Sequence, residues 1–258
     1  MIEACSVNYS IEDKAILKGI NFTFNKGKMY GIIGPNGVGK STFLHLLSGV
    51  VEPTAGEVLL DGVAISAYAR KKLARRMAVL QQSGLPPLGF TVREVVQMAR
   101  YPYQNWLGSE QADGDSLVDE AITAMGLDEL RHRTMEQLSG GERQRVALAK
   151  LMAQEPSIIL LDEPTTYLDI GYQLQLLDTV RQWQRDKKLT VIAVMHDLNL
   201  ASLYFDELLV LFEGKAAASG SPAKVLTDEL IKRVYGASVS LVAHPKSGVP
   251  QIILQPNT

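Results

Sequence analysis

Three short stretches of this chain carry residues whose types and spacing could do chemistry on phosphate. The first is Gly34-Pro35-Asn36-Gly37-Val38-Gly39-Lys40-Ser41, a G-x-x-x-x-G-K-[ST] pattern. Its glycines let backbone N–H groups wrap a phosphate chain, and a helix starting behind them points its positive N-terminus at the same anion. Lys40 would then reach the outer phosphates, and the Ser41 hydroxyl would be a ligand for Mg²⁺. The second stretch is Asp162-Glu163, at the end of the apolar run 157–161. Paired with the first, Asp162 would help hold Mg²⁺ and Glu163 would polarise an attacking water as general base. The third is His196-Asp197, at the end of the apolar run 190–195.

These groups can act together only if the chain brings them to one place. The runs Met29–Ile33, 157–161 and 190–195 are short, apolar on both faces and rich in β-branched residues, as strands buried on both sides are. Longer helical patterns separate them, which indicates a mostly parallel α/β sheet. Ligands of such sheets bind beyond the carboxyl ends of the strands. The phosphate loop, the two carboxylates and the imidazole all follow those ends, so they are expected to converge. Between residues 84 and 138 the character changes. The segment 84–90 is rich in Pro and Gly, 109–115 is polar, and helical stretches are expected at 92–99 and 117–125. We read 84–152 as a helical subdomain inserted into the α/β core of a single 1–258 domain. Strands at 207–212 and 216–218, a helix over 222–235 and a C-terminal strand extension at 236–258 complete the chain.

A more particular signal is Leu138-Ser139-Gly140-Gly141-Glu142-Arg143-Gln144. Ser139 and Glu142 form a capping box for a helix running to about residue 152, and the bare glycine amides suit an anion. The segment is nearly identical to the signature sequence of ABC ATPases, and the chain resembles that family over roughly residues 1–220. The resemblance implies an α/β fold: a P-loop NTPase core with a mostly parallel sheet, an antiparallel β part at the N-terminus and an inserted helical subdomain. It also implies ATP hydrolysis, with ATP and Mg²⁺ bound. Tyr9 matches the aromatic that stacks on adenine. Gln82 resembles the Q-loop glutamine, which senses Mg²⁺ or water, with Gln81 as the neighbouring alternative. Tyr167-Leu168-Asp169 resembles the D-loop, and His196 the switch histidine that contacts the γ-phosphate. The implied catalytic set is therefore Glu163, His196 and Gln82, and the implied metal set is Ser41, Gln82 and Asp162. The implied nucleotide contacts run from Gly34 through Thr42, with Tyr9, Ser139, Gly140, Gly141, Glu142 and Asp169. In that family two copies bind head to tail, each ATP lying between the P-loop of one and the signature of the other.

A finer resemblance points to importers of iron–siderophore, haem or cobalamin. It rests on Pro164-Thr165-Thr166-Tyr167-Leu168-Asp169, Met195-His196-Asp197-Leu198-Asn199, Arg100-Tyr101-Pro102-Tyr103 with Trp106, and the 239–254 tail with its Lys-Ser-Gly-Val-Pro turn. It implies transmembrane permease partners, indirectly a solute-binding protein, and a peripheral place on the cytoplasmic face of the cell membrane. A soluble ABC ATPase of iron–sulfur cluster assembly is the alternative, since that too is a single cassette. A net charge of −2 argues against a broad nucleic-acid footprint. Cys5 is the lone cysteine, so no intramolecular disulfide framework is possible. No apolar run approaches the roughly 20 residues of a membrane helix, and no secretory signal is visible at the N-terminus. The cluster Arg70, Lys71, Lys72, Arg75 and Arg76 reads as a solvated helix face.

Overall fold

Two long antiparallel strands, β1 (Ile2–Ile11) and β2 (Lys14–Phe24), open the chain of this computed structural model, which describes residues 1–81, 89–105, 114–166 and 168–255. β3 (Met29–Ile33) follows, buried at every position, and leads through the glycine-rich loop into α1 (Lys40–Leu47). β4 (Ala55–Leu60) and β5 (Val63–Ala64) return to the first sheet, antiparallel in the order β2-β1-β4-β5. After α2 (Arg70–Ala74) and β6 (Met77–Leu80) come three helices, α3 (Val92–Gln97), α4 (Gly114–Ala124) and α5 (Gly140–Ala153). The chain then alternates: β7 (Ile158–Asp162), α6 (Ile170–Lys187), β8 (Thr190–Val194), α7 (Leu198–Tyr204), β9 (Glu207–Phe212) and β10 (Lys215–Gly220). Two short helices, α8 (Pro222–Val225) and α9 (Asp228–Tyr235), precede the hairpin of β11 (Val239–Ala243) and β12 (Pro250–Leu254).

The central sheet runs β10-β9-β3-β8-β7-β6, parallel throughout except for the edge strand β10. It is buried on both faces, which is why its strands read as continuous apolar runs and not as alternating ones. In β3, Met29 and Ile33 enter one core with α5, α6, α7 and the C-terminal helices. Tyr30 and Ile32 point the other way, into a second core shared with α1 and the N-terminal sheet. A third core lies among α3, α4 and α5, built on Val92, Val96, Val118, Ile122, Met135 and Val146. Helix α5 belongs to two of them: Val146, Ala149 and Ala153 face the third core, while Ala147, Leu148 and Leu151 face the first.

Local chemistry departs from two expectations and refines a third. The helix over 222–235 is two helices, because Leu226 leaves helical geometry at ψ 87° and Thr227 restarts the helix by accepting the Leu230 N–H at 3.2 Å. The stretch 92–99 is α-helical only to Gln97, then tightens into a 3₁₀ turn (Met98–Tyr103) containing Pro102. The basic cluster is exposed at Arg70, Lys71, Lys72 and Arg75, as a solvated face is, but most of its residues are also hydrogen-bonded. Arg70 donates to Gly49 O, Lys71 to Gln104 O, Arg75 to Pro102 O, and Arg76 to Asp61 and Ser157. These bonds fasten α2 and β6 to their surroundings, and Lys71 also lies 4.7 Å over the Tyr101 ring.

One polar knot secures the central strands. Asp206, just before β9, accepts from the Met29 N–H at 2.8 Å and from both Arg181 guanidinium nitrogens at 2.8 and 3.1 Å. Burial alone would raise its carboxyl pKa, but Arg181, the Met29 N–H and Lys28 outweigh burial and hold it below the ordinary value. Asp206→Ala should therefore cost about 2 kcal/mol, since it strips a buried N–H and a guanidinium of their acceptor. The measurement is the urea midpoint at constant m-value. A depressed carboxylate stabilises at pH above its unfolded value and loses that share as pH falls through the folded one. The gap between wild type and variant should accordingly be full at neutral pH and shrink below about pH 4.

Candidate functional site

The loop between β3 and α1 closes on itself. Gly34 stands at φ +147°, and a Cβ there would come within 2.2 Å of the Leu211 carbonyl of β9, so only glycine fits. Gly39 precedes α1 at φ +101° with no side-chain cap, leaving the first amides of the helix bare. Those amides and the helix dipole make the loop a receptor for anions. Lys40 is buried, its ammonium donating to the carbonyls of Gly34 at 2.9 Å and Pro35 at 3.0 Å. Burial pulls its pKa below the ordinary lysine value, against the opposing pull of Glu163 and Asp162. Asn36 and Gly37 are exposed at the loop tip, while Pro35, Val38 and Thr42 are half-buried.

Helix α1 brings Ser41 to the end of β7, where its hydroxyl donates to Asp162 Oδ1 at 2.8 Å. Asp162 is only 4% exposed. Burial pushes its carboxyl pKa up, countered by the Ser41 hydroxyl and by His45. A buried carboxylate beside a hydroxyl is a hard oxygen pair, and a divalent cation there would supply the counter-charge that burial demands. The donor set fits Mg²⁺. His45 faces the same carboxylate, with Nε2 3.8 Å from Asp162 Oδ2. The sequence reading passed over His45, although its position four residues after Ser41 on a helix places it on the same face.

Glu163 follows β7 with φ +49°, a left-handed geometry that bulky residues adopt only where the surroundings impose it. Its Oε1 lies 2.5 Å from His196 Nε2, and Thr166 Oγ1 donates to its Oε2 at 3.4 Å. His196 comes off the end of the neighbouring strand β8, so this pair bridges two parallel strand ends. Loop, hydroxyl, two carboxylates and imidazole are thus gathered at one edge of the sheet. Tyr9 lies on β1, half-buried against the second core on which Val38 of the loop also packs. Gln82 and Tyr167 lie outside the described residues, while Gln81 is described and exposed.

The signature segment makes different contacts. Ser139 caps α5 with a complete capping box: its N–H and hydroxyl each donate to Glu142 Oε2 at 2.7 Å, and its oxygen accepts the Glu142 N–H at 3.3 Å. The Ser139 N–H, then its hydroxyl, hold the Glu142 carboxyl below the usual range. Gly140 is exposed with open space at its Cα, and Gly141 lies against the Tyr172 ring. Gln144 reaches the Pro164 carbonyl at 3.4 Å, linking α5 to the segment after Glu163. Asp169 caps α6, its Oδ1 accepting the Tyr172 N–H at 3.0 Å. The aromatic stretch divides in two. Arg100 and Pro102 are buried, and Tyr103 packs between Arg75 and Arg100 with its hydroxyl on Gln154 O, whereas Tyr101 stays 62% exposed.

Comparison with known proteins agrees with this geometry. Residues 17–166 match the ABC transporter family (ABC_tran). The ferric enterobactin transport ATP-binding protein FepC of Escherichia coli (strain K12) is 43% identical over 227 residues, 88% of this chain and 84% of FepC. The uncharacterized ABC transporter ATP-binding protein YvrA of Bacillus subtilis (strain 168) is 41% identical over 245 residues. That match takes in 95% of this chain but only 55% of YvrA. Among solved structures, the dimeric bacterial ABC transporter cassette MJ0796 superposes with a TM-score of 0.75 at 26% identity, covering 86% of this chain and 98% of that one.

The geometry separates the effect of Glu163 on hydrolysis from its effect on binding. Glu163→Gln keeps a side chain of the same size but removes the basic oxygen facing His196. It should slow hydrolysis of a bound nucleoside triphosphate by about 10³-fold while leaving nucleotide affinity within about threefold. Phosphate release and equilibrium binding on the same preparation measure the two.

Proposed function

We propose that this chain, which belongs to the ABC transporter family, is the ATP-hydrolysing energy subunit of an importer for iron–siderophore, haem or cobalamin. The observation that carries the proposal is the Glu163–His196 pair at 2.5 Å, beside a P-loop lysine and the Ser41–Asp162 pair. The named function of FepC supports the ferric-chelate end of the range. Among the described residues no helix is long and apolar enough to cross a membrane. The reading makes the chain a peripheral subunit on the cytoplasmic face, with membrane-spanning permease partners and, through them, a solute-binding protein.

In this reading ATP lies along the loop from Gly34 to Thr42, with Tyr9 against the adenine. Lys40 exchanges the Gly34 and Pro35 carbonyls for the β- and γ-phosphates, which are stronger acceptors for an ammonium. Ser41 and Asp162, with Gln82, would hold Mg²⁺, whose chemistry is to neutralise phosphate oxygens as charge shifts toward the leaving group. Glu163 accepts a proton from the attacking water, and His196 both orients Glu163 and donates to the γ-phosphate. The capped start of α5, with Ser139, Gly140, Gly141 and Glu142, faces the γ-phosphate of a second copy, and Asp169 lines the same joint. Two such chains form a head-to-tail dimer with two ATP between them. The exposed Tyr101 and the 84–152 subdomain around it form the side toward the permease.

Two measurements test the proposal. With ATP and Mg²⁺, Glu163→Gln should elute as a dimer in size exclusion, and as a monomer without nucleotide. A monomer under both conditions would remove the sandwich mechanism. Tagged Glu163→Gln protein expressed in its own host should co-purify with a polytopic membrane protein from gently solubilised membranes. Recovery of soluble scaffold proteins alone would instead support an ATPase of iron–sulfur cluster assembly.

A further inference from the structure

The Met195-His196-Asp197-Leu198-Asn199 stretch and the C-terminal hairpin are far apart in the chain, yet they form one structural feature. Asp197 caps α7, its Oδ1 accepting the N–H groups of Asn199 at 2.8 Å and Leu200 at 2.9 Å. On α7, Leu200 and Ala201 are buried in the first core. Asn199 and Ser202, three residues apart, share the face that meets β12. The Asn199 side-chain amide pairs with one residue of that strand in both directions. Its Nδ2 donates to Ile252 O at 3.1 Å, and the Ile252 N–H donates to its Oδ1 at 2.6 Å. Ser202 Oγ adds a bond to Pro250 O at 2.6 Å. A side chain here satisfies β12 as a neighbouring strand would. Only Asp197 and Leu198 separate His196 from Asn199, so little slack lies between this clamp and the imidazole.

Helix α9 packs on β11, and its last residue, Tyr235, sits against the first core. The hairpin that follows α9 therefore braces α7, the helix that begins two residues after His196.

We propose that Asn199 is a positioning residue: clamped to β12 of the C-terminal hairpin, it holds α7, and through it His196, at the reach from the P-loop that hydrolysis needs. The inference rests on His196 acting at the γ-phosphate, and its test separates the two ideas. The full-length variants Asn199→Ala, His196→Ala and the double variant are compared for kcat, KM for ATP and melting temperature, each at a temperature where all are folded. Asn199→Ala should lower kcat by about fivefold with KM within about twofold, as expected for a displaced catalytic group with an intact binding loop. In the His196→Ala background the same substitution should change kcat by a factor of about one, because residues acting through one another are not additive. An equal loss in both backgrounds overturns the positioning role and leaves Asn199 purely structural. Full activity of Asn199→Ala overturns it as well. Full activity of His196→Ala overturns the underlying reading of the histidine instead. If Asn199→Ala fails to fold, Ser202→Ala, which deletes one bond of the same clamp, runs through the same cycle with the same criteria.

Discussion

Ile32, Val194 and Asp162 lie side by side across three parallel strands, and the geometry of the whole site depends on that register. Just past this level the three chains leave the sheet as the glycine-rich loop, as His196 and as Glu163. Side chains alternate along a strand, so a slip of one residue would turn Asp162 away from α1 and break its bond to Ser41. Residues with no chemistry of their own prevent the slip. Met29, Ile33, Ile159, Leu161, Val191 and Ala193 fill one core, while Tyr30, Ile32, Leu160, Ile192 and Val194 fill the other. Burial on both faces makes any other pairing expensive, and the Asp206 knot ties the starts of β3 and β9 to α6.

Each charged group of the site is satisfied by a partner within the chain. Lys40 is held by two loop carbonyls, Asp162 by the Ser41 hydroxyl, and Glu163 by His196. Buried charge is tolerated only when it is paired in this way. Each of these bonds can be exchanged for one to a phosphate oxygen, a cation or a water. The left-handed backbone at Glu163 belongs to the same design, since it aims the carboxylate back toward the neighbouring strand end.

Helix α5 links that site to the third core. Its capped start carries Ser139 to Glu142, one face packs on the sheet core, and the other forms the floor under α3 and α4. Any displacement of the α3–α4 pair is therefore felt by the segment proposed to face a second copy. The bonds of Arg75 and Arg100 around Tyr103 fasten this layer to α2 and to the end of α5. Charges that read as solvent-facing in sequence act here as connections between layers.

Much of this was legible in the sequence, because the signals are local. A glycine-rich turn between an apolar run and a helix, an acidic pair after a second run and a capping box each follow from neighbouring residues. The central sheet, its parallel character and the Ser139 cap were therefore readable in advance. Other features depend on residues distant in the chain, and only the tertiary structure decided them. His45 gained its partner when α1 packed against β7. The basic cluster found carbonyls at Gly49, Pro102 and Gln104, on two other segments. Leu226 and Thr227 split a helix, the first leaving helical geometry and the second capping the next. Asn199 looked like part of a linear motif, but its amide is spent on Ile252, more than fifty residues away. Sequence by itself determined which groups are available and which short elements carry them, because propensity and capping act over a few residues. The tertiary structure alone decided which groups meet, because hydrogen bonds and burial between distant segments exist only once the two cores have set the register.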